Sequence, residues 1–178
     1  RISYIFIYLT SIIFLYSCSS SYEKLSKNTQ IPNNELNKQL LKSYKAKAIF
    51  EAKEMHDWNS AKLYSEKAIK AINGQRVEPN KIEYWKIEES KKSDLLVAYD
   101  NLMIIYDEAS IQNPYDLAIA VTSLDCWAEQ QEENWQTWDI NSCKNDFLKA
   151  MHNIYEKIST QENEHETSDN KDNNLENE

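Results

Sequence analysis

The chain has 178 residues, enough for one domain with a real core. One Gly and three Pro leave few tight turns for a sheet, a dinucleotide fold or a phosphate loop. The formal charge is -9 with no basic stripe, so nucleic acid is not an expected partner.

Arg1 precedes a run of fourteen apolar or weakly polar residues, 2–15, with Ile5, Phe6, Ile7, Leu9, Ile12, Ile13, Phe14 and Leu15. A transmembrane helix needs about twenty such residues, so the run is the length of a signal-peptide apolar region. It ends in Leu15-Tyr16-Ser17-Cys18, followed by Ser19, Ser20 and Ser21. This resembles the bacterial lipobox, with an aliphatic residue three before the Cys and a small one beside it. Tyr16 is bulkier than the usual middle residue. Cleavage before Cys18 would free its thiol and α-amine for acylation, and several acyl chains hold a bilayer firmly where one does not. The expectation is a signal peptide over 1–17 and a lipid anchor at Cys18. Because Ser19 is not Asp, the outer membrane is the expected site, with the body facing the periplasm. Polar residues up to Asn34 predict a flexible tether over 18–34.

Periodicity then predicts an all-α body over 35–160, an antiparallel bundle of about five helices built as stacked αα-hairpins. The first runs from about Glu35 to Met55, with Tyr44, Ala48, Ala52 and Met55 in step. Asp57 caps a second, whose stripe is Trp58, Ala61, Tyr64, Ala68 and Ile72, with Gly74 just beyond its end. Ala61, Tyr64 and Ala68 are weakly tetratricopeptide-like, but no 34-residue period repeats. Gln75 to Glu89 is a connection carrying Tyr84, Trp85 and Ile87. The third helix spans about Ser90 to Ser110. Asn113-Pro114, with Asp116 two residues on, is the sharpest helix start in the chain. The fourth helix carries Leu117, Val121, Leu124 and Ala128. The fifth begins near Asp139 and carries Ile140, Cys143, Phe147, Met151, Ile154 and Ile158. From Gln161 to Glu178 there are seven acidic residues and one Lys, which predicts a disordered, solvated tail.

With Cys18 given to lipid, Cys126 and Cys143 remain, sixteen residues lying between them. In an exported chain a bridge is the expected state, formed across a hairpin turning near Gln136-Thr137. Two buried free thiols, or a metal pair, are the alternatives. The metal pair lacks partners, because His56, His152 and His165 are scattered, so no metal or other cofactor is expected. Between the cysteines lie Trp127, Trp135 and Trp138, three Trp in twelve residues, interleaved with acids. With Tyr84 they form a candidate interaction surface. The competing structural reading packs Trp127 and Trp135 across the hairpin. Glu129, Glu132 and Glu133 could be posed as acid/base pairs, but Glu129 and Glu133 lie four residues apart on an outer face and are expected to be solvated. No nucleophile elbow, Walker loop or HExxH motif is present, and catalysis is not expected.

The block Cys126-Trp127-Ala128-Glu129-Gln130-Gln131-Glu132-Glu133-Asn134-Trp135, running on through Asp139-Ile140 to Cys143 and Phe147, carries a family likeness. Glu51 to Trp58 belongs to the same pattern. Over roughly Tyr44 to Ile158 the chain resembles the N-terminal helical region of alphaproteobacterial lipoproteins of the OmpA family. In that family a C-terminal domain commonly grips peptidoglycan. No residue here matches its ligand-contacting motif, so direct peptidoglycan binding is not expected. What the resemblance implies is a diderm envelope, a periplasm-facing domain and a structural role with an envelope protein partner. A periplasmic ligand- or glycan-binding protein using the Trp-rich hairpin is the alternative expectation.

Overall fold

The computed structural model describes residues 21–134 and 137–175, with side chains to residue 160. All regular structure among them is helical. Helix α1 covers residues 21–27, α2 Glu35–Phe50, α3 Trp58–Ile72, α4 Glu89–Gln112, α5 Pro114–Glu133 and α6 Thr137–Leu175, with a π turn at Glu51–Met55 and a 3-10 turn at Ile82–Tyr84. The chain divides into two compact units, one ending at Val77 and the other starting at Glu78. The boundary falls inside the helical body expected over 35–160.

Unit 1 is a hairpin of α2 and α3 joined through the π turn. Asn34 opens α2, its side-chain oxygen accepting the Asn37 amide at 3.1 Å. Asp57 caps α3 by accepting the Asn59 and Ser60 amides, as expected. Between them His56 takes a left-handed conformation at φ 57°, and the Asp57 amide reaches back to the Glu51 carbonyl. At the far end Gly74, at φ 70°, allows the Gly74 amide to reach Ala71 and the Gln75 amide to reach Lys70. This is a Schellman ending that satisfies carbonyls left open by the last turn. Ala48, Ala61 and Ala68 are fully buried, so the backbones approach closely. Tyr44 and Tyr64 fill the remaining space, ring centroids 6.0 Å apart. The Lys67 ammonium lies 5.6 Å from the Tyr44 ring centre, and that of Lys47 5.9 Å from the Tyr64 ring centre.

The expected tether is partly a helix. Leu25 in α1 is fully buried and Tyr22 meets Trp58 edge-on at 6.0 Å. The Ser21 hydroxyl donates to the Glu66 carboxylate at 3.1 Å. One well-placed Leu in a Ser- and Lys-rich stretch is enough to dock two turns of helix.

In unit 2, α5 is the central helix, packed chiefly against α6 and then α4. Leu117, Ala118, Ala120, Val121 and Leu124 to Glu129 are buried around nearly its whole circumference. That is the pattern of a core helix rather than a surface one. Asn113 accepts the Asp116 amide at 3.3 Å, with Pro114 at the first helical position, as the Asn-Pro pair predicts. The helix ends on left-handed Asn134, φ 53°, two residues before the expected turn. Helix α6 begins at Thr137 and continues to Leu175, through most of the segment expected to be a solvated tail. No helix among the described residues is long and apolar enough to cross a membrane.

Charge divides with the units. Residues 1–77 hold twelve Lys and Arg against six Asp and Glu, whereas residues 78–160 hold seven against sixteen. The near-balance of the body conceals two oppositely charged halves.

Candidate functional site

Cys126 late in α5 and Cys143 early in α6 are bonded, S–S 2.04 Å, with Cα atoms 5.8 Å apart. The bridge fixes the register of the α5/α6 hairpin and with it the placement of the aromatic residues around it. Trp127, next to the bridge, is only 4% exposed. Its ring lies 6.1 Å from that of Phe147 on α6, and the Lys144 ammonium sits 4.8 Å over its face. Lys144 in turn donates to the Asp94 carboxylate on α4 at 2.9 Å. The indole is thus a packed element of the hairpin with its face covered. Trp138 is 68% exposed and Tyr84 is exposed as well, its ring edge-on to Trp85 at 5.1 Å. Trp135 lies outside the described residues. The four expected surface aromatics do not form one described face, since Trp127 is core.

Helices α4 and α6 both pack on α5 and touch one another only lightly. A groove of about 400 Å³ lies between them, its walls including Val97, Ala98, Phe147, Leu148, Met151 and Tyr155, with Trp127 and the Asp94–Lys144 ion pair also lining it. The pairing of Asp94 with Lys144, and the lining residues beyond, show that α4 and α6 run parallel. Val97, Leu148 and Tyr155 are exposed along the walls.

The outward face of α4 continues this apolar surface. Val97, Ile104 and Ile111 recur every seven residues, and Ile104 and Ile111 are 80% and 83% exposed. Between them lie exposed Asp100, Asn101, Asp107 and Glu108, with no Lys or Arg from Ser93 to Gln112. The result is a ladder of apolar and acidic rungs. The seven-residue spacing was present in the sequence, but α4 has apolar residues on both faces, so periodicity alone did not separate core from surface.

Of the acids of the Trp-rich block, Glu132 and Glu133 are exposed, whereas Glu129, expected on a solvated face, is not. Asp125 and Glu129 are buried. The Asp125 carboxylate accepts the Asn80 amide at 2.7 Å, and that of Glu132, one turn beyond Glu129, accepts the Lys86 amide at 2.6 Å. Asp125 and Glu132, seven residues apart on one side of α5, thus hold the connection that carries Tyr84 and Trp85. Glu129 belongs to this inner face and not to a solvated one. Tyr99 on α4 shares the acidic surroundings. Burial pushes its phenol above the ordinary value, and the charges of Glu78, Glu83, Asp100 and Asp125 add to the shift. Among the described residues no three of His, Cys, Asp or Glu come together around a possible metal position. Cys18 lies outside the described residues.

Comparison with known proteins finds no family model, no curated protein and no solved structure that matches the chain.

Proposed function

We propose that the chain is an envelope lipoprotein, held at the outer membrane through acylated Cys18. Its periplasm-facing unit 2 would act as a structural or protein-interaction module rather than a catalyst. The Leu15-Tyr16-Ser17-Cys18 motif supports the anchor, and the Cys126–Cys143 bridge fits an oxidising compartment. The likeness to the helical region of OmpA-family lipoproteins belongs to the same reading.

The observation that carries the interaction role is the α4 ladder. Three β-branched apolar side chains at heptad spacing, left in solvent beside an apolar groove, are the footprint of a partner helix. The acidic rungs select that partner. A second copy of α4 would bring Asp100, Asp107 and Glu108 against their like, which is unfavourable. A cationic amphipathic helix of an envelope protein would meet opposite charge along the whole ladder.

A photocrosslinking residue at Ile104 of the membrane-embedded chain tests this. The expected result is a discrete crosslink to a protein through a basic amphipathic helix, lost when Asp100 and Asp107 are changed to Lys. No product, or a product of the chain with itself, would contradict it.

A second reading, an apolar-ligand site, is favoured by the groove over Trp127. Sugar stacking on this indole is not supported, because Lys144 covers its face. An apolar ligand would enter beside Val97, Leu148 and Tyr155 and change Trp127 fluorescence.

A further inference from the structure

Unit 1 carries a second exposed apolar surface, at the corner where α2 passes through the π turn into α3. Ile49, Phe50, Met55 and Trp58 all lie within ten consecutive residues, and all are exposed, Phe50 by 51%. The left-handed turn at His56 brings the chain round so that the end of α2 and the start of α3 share this corner. Two large aromatics, a Met and an Ile at one end of a helical hairpin are side chains of the kind that enter the boundary between headgroups and acyl chains.

The start of the described chain lies against the same corner. Tyr22 packs on Trp58, and Ser21 bonds Glu66 two turns along α3. Cys18 is three residues before Ser21, so chain geometry keeps it within about 11 Å of that residue. An acyl chain on Cys18 would therefore enter the bilayer beside the Trp58 corner. A protein partner on the corner would have to fit into the gap between lipid and unit 1. The net charge of the unit as a whole favours an anionic surface. Residues 21–77 hold eleven Lys and Arg against six Asp and Glu, and a basic unit is drawn to anionic headgroups.

We infer that the corner formed by Phe50, Met55 and Trp58 is a membrane-docking surface for anionic phospholipid, a second contact that holds unit 1 flat on the bilayer beside the lipid anchor. The inference rests on the reading of Cys18 as acylated. It makes unit 1 the membrane-facing part of the chain and leaves the acidic unit 2 to its partner.

Two measurements test it. In the first, the acylated chain is reconstituted in phosphatidylethanolamine–phosphatidylglycerol vesicles whose acyl chains carry bromine. Indole emission is quenched, and Trp58→Phe removes the larger part of the quenching. In the second, the unacylated Cys18→Ser chain is sedimented with vesicles of the same composition. It partitions measurably, and Phe50→Glu weakens the partitioning about tenfold, with an unchanged far-UV circular dichroism spectrum as the folding control. Quenching that survives Trp58→Phe, or partitioning indifferent to Phe50→Glu, overturns the inference. So does a Cys18→Ser chain that fails to bind vesicles. The intact mass of the same sample separates this from the anchor. Acyl mass without Trp58-dependent quenching sinks the docking surface alone, whereas vesicle binding without acyl mass sinks the anchor alone.

Discussion

Asp125 is a carboxylate on the buried side of α5, and its partner at 2.7 Å is a backbone amide of the connection between the units' helices. Removing it leaves the Asn80 amide without that acceptor, and a hydrogen bond to a charged group contributes more than a neutral one. Asp125→Ala should lower the stability of unit 2 by about 2–3 kcal/mol in denaturant unfolding. A loss below experimental error would mean that the connection is held by its apolar residues, Val77, Ile82, Trp85 and Ile87, which are all buried. Tyr99 gives this neighbourhood a pH signature. Its phenol is raised by burial and by the surrounding acids, so the neutral form is favoured by folding. That contribution is complete below the unfolded phenol value of about 10 and is lost as pH rises through the folded value. Urea midpoints measured on both sides of pH 10 should fall less steeply for Tyr99→Phe than for the parent chain. Equal slopes would count against a raised Tyr99 phenol in the folded chain.

At the scale of elements, the Cys126–Cys143 bridge ties the two helices that enclose Trp127, and its closed loop spans a sequence separation of 17. Loop closure of that size contributes about 3 kcal/mol in the chain-entropy account. Cys126→Ala combined with Cys143→Ala should therefore lower the unit 2 transition by about that amount. The unit 1 transition should stay in place, and a shift in both would contradict the division into units. Both hairpins, α2/α3 and α5/α6, were largely legible in the sequence, because their determinants are local. The capping residues Asn113 and Asp57, Pro114 at the first helical position and Gly74 past the end of α3 each act within a turn of their own position. What was not legible depends on long-range packing. Leu25 docks α1 only because unit 1 presents a site for it. Glu129 is buried on α5, although its neighbours Glu132 and Glu133 are exposed. The exposure of Ile104 becomes plain only once Leu102 and Ile105 are seen to take the core side.

Across the whole chain, charge divides with the two units, and the proposed function assigns them different partners. A basic unit follows the expected anchor, and an acidic unit carries the α4 ladder. Taken as a single body, the sequence is nearly neutral apart from its tail, because Gly74 and Pro79 on either side of Val77 read as the ends of an ordinary helix connection and not as a boundary between units. The proposed envelope anchor needs Cys18 to carry lipid. Intact mass spectrometry of the chain extracted from membranes measures it directly. The predicted result is a polypeptide beginning at Cys18, heavier by its acyl groups and lighter by the two hydrogens of the Cys126–Cys143 bridge. A chain that keeps residues 1–17, or one whose Cys18 carries no acyl group, would contradict the account.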